Sequence, residues 1–224
     1  MIQIFDFDQN SPEWFQARAG IPTASEFHTV MASGRSGGES KTRKTYMYKL
    51  AGEVVTGEPT EGYSNAHMDR GHVMEEEARD KYSFIADAEI QRVGFIRNGD
   101  KGASPDGLIG DRGMFEAKSK LPHLLIETLF RDDFPPEHKA QCQGALWVAE
   151  REWIDIVVYW PKLPLFVKRA YRDEAYIAGI ATAVKQFNEE LAEVVDKVRR
   201  YGVPPVPVNQ NDLDAIRNHP LMAG

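Results

Sequence analysis

After Ile177 the apolar residues Ile180, Val184, Phe187, Leu191, Val194 and Val198 follow at steps of three and four, with charged residues between them. That period puts them on one stripe and predicts a single long amphipathic helix covering a core. The pattern stops at Gly202, where VPPVPVNQND cannot continue a helix and favours extended backbone. We therefore read 1–202 as one domain and 203–224 as a Pro-rich extension. Upstream, 25–31, 45–55 and the Glu- and Arg-rich 68–82 carry helical patterning. Strand-like runs follow at 90–97, 107–109 and 114–120, the last two joined by Gly110-Asp111-Arg112-Gly113. A helix over 136–149 starts behind Pro135, and the β-rich runs WIDIVVYW and LFVKRAY come next. Helices, a strand meander, a helix and more strands predict an α/β chain whose central mixed sheet is flanked by helices.

Composition narrows the function. Of 224 residues, 42% are hydrophobic and 27% charged, which is ordinary for a globular chain and excludes a disordered or fibrous one. Cys142 is the single cysteine, so disulfides within the chain and Cys-ligated zinc or iron–sulfur centres are excluded. A reducing cytoplasm is the simplest home. The opening MIQIFDFDQNSPEW has no basic region followed by an apolar run, and no stretch reaches the ~20 apolar residues of a membrane span. A soluble protein with no membrane partner is expected.

The formal net charge of −7 is not that of a nonspecific DNA coat, so the distribution of charge matters more than the total. One basic stretch runs between Met31 and Lys49, where Arg35, Lys41, Arg43, Lys44 and Lys49 face the single acid Glu39. Its plainer reading is a solvated Gly/Ser-rich loop entering a helix.

The densest chemistry lies in Ser104-Pro105-Asp106-Gly107, followed ten residues after the Asp by Glu116-Ala117-Lys118. Alternation in a strand puts Glu116 and Lys118 on one face and Ala117 on the other. A hairpin turning through 110–113 would bring Asp106 beside Glu116. Two carboxylates held together repel, and a divalent cation relieves the repulsion; oxygen ligation without Cys favours Mg²⁺ or Mn²⁺. A lysine two residues beyond can hold an attacking water and offset charge in the transition state, which suits phosphodiester hydrolysis. A surface hairpin with an ordinary Glu/Lys pair is the plainer alternative. Glu75, Glu76 and Glu77 precede the meander on a helix, and steps of ~100° let only one of them face inward. Gln141 and Gln143 sit among apolar neighbours, so each needs a buried partner, in the core or in a site.

These residues resemble the lambda-exonuclease/YqaJ family of phage-type recombination nucleases, which has a restriction-endonuclease-like, PD-(D/E)XK core. The resemblance runs over roughly 12–190 in motif order: Trp14 with Arg18, the segment from Gly20 to Ser25, Arg35-Ser36-Gly37, Gly71 with Glu75, the Ser104 and Glu116 motifs, and Gln141-Cys142-Gln143 with Trp147. It implies a processive 5′-to-3′ exonuclease on double-stranded DNA ends that releases mononucleotides and leaves a 3′ strand for recombination. It also implies two Mg²⁺ ions per site, with Mn²⁺ as an alternative, a ring-shaped homotrimer, a single-strand annealing protein as partner, and a phage- or prophage-encoded enzyme in the bacterial cytoplasm.

Residue by residue, the resemblance makes Asp106, Glu116, Glu75 and the Ala117 carbonyl the metal ligands and Lys118 the catalytic lysine. Gln141 matches the glutamine near the attacking water better than Gln143. Arg18, Ser25 and Ser104 match a 5′-phosphate pocket, Arg35 a minor-groove arginine, and Met68 the apolar wedge at the duplex end. A ring retains DNA topologically, which accommodates the acidic net charge and makes the basic stretch a credible duplex contact. The alternatives are an endonuclease on the same core and a noncatalytic DNA-end-binding module.

Overall fold

The computed structural model describes residues 1–34, 38, 40–60 and 66–202, without the side chains of 66–72. The chain opens with β1 (Ile2–Phe5), α1 (Pro12–Arg18), a 3-10 turn at Ala24–Glu26, α2 (Phe27–Val30), α3 (Lys41–Thr56) and α4 (Ala66–Ala86). The meander is β2 (Ile90–Gln91), β3 (Phe95–Asn98), β4 (Lys101–Ala103), β5 (Gly107–Ile109) and β6 (Gly113–Ser119). Then come α5 (Pro122–Arg131), α6 (Lys139–Ala149), β7 (Trp153–Tyr159), β8 (Phe166–Tyr171) and α7 (Glu174–Arg199). Local signals set the helix ends. Ser11 caps α1 ahead of Pro12, Ser40 caps α3, Gly57 closes α3 with φ 75°, and Asp173 accepts from the Tyr176 amide to start α7.

The main sheet has the order β2-β5-β6-β7-β8 and is mixed, because β6 and β7 are parallel while the other pairs are antiparallel. Its two faces read directly from the alternation along β6. Met114 faces a core built with Ile154, Ile156 and residues of α2, α3, α6 and α7, whereas Phe115 and Ala117 face Met74, Ala78 and Tyr82 of α4. Gly144 matters to the first face: a Cβ there would lie 2.3 Å from Phe27, so only glycine lets α6 pack this closely on α2. A smaller antiparallel sheet, β1-β3-β4, flanks the main one. No helix among the described residues is long and apolar enough to cross a membrane.

Three departures from the sequence-based expectations have physical causes. The run 90–97 is two strands in different sheets, broken at Gly94, where a Cβ would lie 2.0 Å from the Phe7 carbonyl oxygen of the amino-terminal segment. On α7 the stripe widens to take in buried Val195 beside the partly buried Val194, and Val198 is 50% exposed, because the helix has run past the core it covers. β1, α1 and β4 are too short to carry a period of their own and are defined by what they pack on, whereas α5, also absent from the expected elements, is strongly amphipathic and sets Leu125 and Leu129, one turn apart, against β7 and β8. The 203–224 extension lies outside the described residues.

Candidate active site

The β5–β6 hairpin assembles the site. Gly107 pairs with Phe115, so the next register position sets Asp106 against Glu116. The Asp106 carboxylate accepts the Ala117 amide at 2.7 Å, which ties the aspartate to the strand bearing the other motif. A Cβ on Gly107 would meet Ile90 at 2.1 Å, so the glycine after the aspartate lets β2 lie alongside. Glu116, only 2% exposed, accepts from Lys118 Nζ at 2.6 Å and from Gln141 Nε2 of α6 at 2.5 Å. Gln143 points elsewhere: it donates to the Tyr171 carbonyl and accepts from the Asp173 amide, joining β8 to the start of α7. The choice between the two glutamines is a tertiary one, made by which side of α6 faces β6.

Glu75 of α4 approaches Asp106 from the other side, in a neighbouring cavity of about 320 Å³ that Glu75, Arg79 and Asp106 line, and it does not line the cleft that holds Glu116 and Lys118. Arg79, one turn later and 8% exposed, donates to Glu75 at 2.5 Å and to the Asp106 carbonyl at 3.4 Å. Motif reasoning misses Arg79, although its i,i+4 spacing from Glu75 is a usable signal. The neighbouring glutamates diverge as helical geometry requires, Glu76 to Arg92 at the surface and Glu77 to the Tyr159 hydroxyl. Burial and the Asp106 charge push Glu75 and Glu116 each up to about 7. Burial pulls the Lys118 ammonium down, but Glu116 and Asp106 outweigh it and its net direction is up, so it remains charged. His138, at the foot of α6, is pushed down to about 4 by burial and by Lys118 and stays neutral.

Among the described residues no three acidic, His or Cys side chains stand close enough to cage an ion by themselves. The donor set is instead a facing pair, Asp106 and Glu116, with Glu75 held back by Arg79. Mg²⁺ is commonly bound this way, through one or two carboxylates with water and substrate phosphate completing the shell. The raised carboxyls are the second observation: they mark negative charge that a cation would relieve.

Next to the carboxylates lies an arginine seat. Arg18 donates to Ser104 Oγ at 2.9 Å and to Thr23 Oγ1 at 3.3 Å, and Thr23 in turn contacts Ser25 Oγ at 3.3 Å. The guanidinium stacks 4.0 Å from the Trp14 ring centroid, while the indole N–H reaches Ser104 Oγ and the Gly94 carbonyl. Burial lowers the Arg18 pKa. One cleft of about 220 Å³ is lined by Arg18, Ser25, Ser104, Asp106, Glu116, Lys118 and Gln141. Arg35 lies outside the described residues, as does the Met68 side chain, although Met68 itself is on α4. In the basic stretch Arg43 is committed to Glu190 of α7 at 2.6 Å, which binds two helices together.

The YqaJ-like viral recombinase domain matches residues 13–152. Among solved structures, the alkaline exonuclease LHK-Exo from Laribacter hongkongensis is 34% identical with a TM-score of 0.76, over 85% of this chain and 97% of that one. LHK-Exo in complex with dAMP gives 35% and 0.77 over the same shares. A phage-related exonuclease from Haemophilus somnus 129PT is 14% identical with a TM-score of 0.61, over 80% of this chain and 96% of that one, and shares the fold. No match was found among curated proteins.

Proposed function

Given a chain that belongs to the YqaJ-like viral recombinase family and is a nuclease of the lambda-exonuclease type, we propose that this cleft hydrolyses duplex DNA from its 5′ end with Mg²⁺. One observation carries the reading: Asp106, Glu116, Lys118 and Gln141 share a single cleft with Arg18, Ser25 and Ser104. A nuclease site and a phosphate seat placed so close together suit a cut one nucleotide from a held terminus. LHK-Exo in complex with dAMP supports the same reading, since dAMP is a 5′-mononucleotide.

In this reaction Arg18, Ser25 and Ser104 hold the terminal 5′-phosphate, and the following phosphate lies at the carboxylates. Water adds to that phosphorus, the P–O3′ bond breaks, and O3′ leaves with a proton. A 5′-mononucleotide is released and the shortened strand carries a new 5′-phosphate. Lys118 holds the water and offsets charge on the phosphoryl oxygens; Gln141, fixed on Glu116, orients the water from the α6 side. Asp106, Glu116, the Ala117 carbonyl and Glu75 would hold Mg²⁺, or Mn²⁺ in its place, which supplies polarisation of the phosphoryl oxygen and of the leaving group.

Family membership also supports a ring-shaped homotrimer for processivity and a single-strand annealing partner on the 3′ strand, in the bacterial cytoplasm. The test is digestion of linear duplexes, with and without 5′-phosphates, in Mg²⁺, scoring acid-soluble product and strand polarity. We expect faster loss of the 5′-phosphorylated strand and intact closed circles. Cutting of closed circles would establish an endonuclease, and 3′ attack would overturn the polarity.

A further inference from the structure

The reaction above leaves a second, larger cavity unused. It is a groove of about 1030 Å³ between α1 and α3, and it meets the catalytic cleft at Gln9, Trp14 and Arg18, which line both. Arg18 therefore stands between two spaces, with the carboxylates and Lys118 on one side and the groove on the other. Sites that take whole small molecules run to roughly 300–1,000 Å³. The cleft at the carboxylates, at about 220 Å³, has room for a phosphate and water, whereas the groove has room for whole nucleotides.

Its walls suit single-stranded nucleic acid. Lys41 and Lys49 of α3 line it, and neither pairs with an acid among the described residues. Of its aromatics, Trp14 carries Arg18 4.0 Å from its ring centroid and Tyr46 is packed on Phe187 with its hydroxyl on the Thr23 amide, so the partly exposed Phe15 is the ring it offers to a base. Of its two acids, Glu53 is taken up by the Gly20 and Thr60 amides at 2.9 and 3.1 Å, which leaves Glu26 against three cations. Cations that follow a backbone, interleaved with rings that stack on bases, make a sequence-tolerant strand site.

Resting on the reading of Arg18 as the phosphate anchor, we infer that the groove receives the leading nucleotides of a 5′ end whenever Arg18 holds an internal phosphodiester, and that the protein then releases a short oligonucleotide. The bond chemistry is unchanged: water adds to phosphorus, P–O3′ breaks and O3′ takes a proton, one or two linkages further into the strand. Ends without a terminal phosphate, or with a group attached to it, are the substrates that bind in this way.

The test uses a duplex whose 5′ terminus carries fluorescein, with Thr45→Trp as the probe variant. Thr45 is a residue of α3 lining the groove, its hydroxyl bonded to the Lys41 carbonyl and not to Arg18, Ser104 or the carboxylates, so a tryptophan there narrows the groove from the α3 wall. The wild-type protein is expected to free a labelled di- or trinucleotide. Thr45→Trp is expected to slow that release about tenfold, the equivalent of one lost stacking contact, while still digesting an unlabelled 5′-phosphorylated duplex within about twofold. Thr42→Trp, on the same wall, is expected to give the same split. With Ca²⁺ in place of Mg²⁺, 2-aminopurine at the 5′ end of a 5′-hydroxyl strand is expected to be quenched on binding wild type and not Thr45→Trp. Labelled mononucleotide as sole product, or equal slowing on both duplexes, would overturn the inference; the latter would make the groove a duplex seat. A phosphorylated duplex left intact by wild type would remove the exonuclease reading and this one with it.

Discussion

Two carboxylates are buried on neighbouring strands of the main sheet, one on each face, and they have opposite surroundings. Glu116 on β6 is 2% exposed and faces α6; Asp155 on β7 is 3% exposed and lies on the α4 face. Asp155 is saturated: Arg169 grips both oxygens at 2.8 Å, Tyr82 donates at 2.5 Å, and the guanidinium stacks 3.6 Å from the Trp153 ring centroid. Glu116 is held by one ammonium and one amide, and it is repelled by Asp106 and Glu75. Burial is therefore the same in both places, and the balance of partners differs. A buried acid matched by its own arginine stabilises an architecture, while a buried acid facing other acids stores charge for a cation or a reaction.

The strongest way to break that contrast is to delete a charge on each side. Lys118→Ala or Asp106→Ala is expected to lower nucleotide release about a thousandfold or more with the fold kept; near-normal release by both would remove the catalytic assignment. Asp155→Ala removes the carboxylate partner of the half-exposed Arg169 and of Tyr82 and is expected to cost about 1–3 kcal/mol in urea unfolding while activity per folded molecule survives. A folded but inactive Asp155→Ala protein would erase the distinction between the two acids.

Arg79→Ala tests whether Glu75 needs its clamp. The Mg²⁺ concentration for half-maximal activity is expected to rise about 10- to 100-fold, as when a partner that orients a metal ligand is lost, and Arg79→Lys is expected to restore part of it. An unchanged Mg²⁺ requirement would make Arg79 purely structural. The pH response sharpens the comparison further. Glu75 and Glu116 titrate near 7 when folded, above the ordinary carboxylate range, so their contribution to stability is present at acid pH and is lost as pH rises through about 7. Cation-free protein should melt lower at about pH 8 than at about pH 5, Mg²⁺ should recover more at the higher pH, and Glu116→Gln should flatten the difference. A melting profile indifferent to Mg²⁺ at both values would count against a cation at these carboxylates. The smallest effects come from the glutamines. Gln143→Ala is expected to cost about 1–3 kcal/mol of stability and little rate, and Gln141→Ala to lower turnover about tenfold with little loss of stability; the reverse pattern would exchange their roles.

Much of the β5–β6 hairpin that carries the candidate site is legible in the amino-acid sequence, because it depends on short-range geometry. Alternation places Glu116 and Lys118 together and Ala117 opposite, and Gly107 and the 110–113 turn return the chain on itself. The long helix is legible for the same reason, through its 3.6-residue period. The proposed phosphate seat is visible only through family resemblance, since Arg18, Thr23 and Ser104 are brought together by packing between α1, the following turn and the meander. Arg79 and the buried Asp155 network escape such reasoning, because an acid or arginine within a helix or strand looks the same in sequence whether it meets water or a partner.

What the chain determines by itself is the set of elements with strong periods, the turn that folds β5 onto β6, and which side chains of β6 share a face; these follow from backbone geometry over a few residues. Which glutamine of α6 meets Glu116, which glutamate of α4 approaches Asp106, and which buried acid is neutralised are decided by tertiary structure alone. Those outcomes depend on the rotation and approach of whole helices against the sheet, and these are set by core packing such as α6 against Phe27 at Gly144, far along the chain from the charges they position.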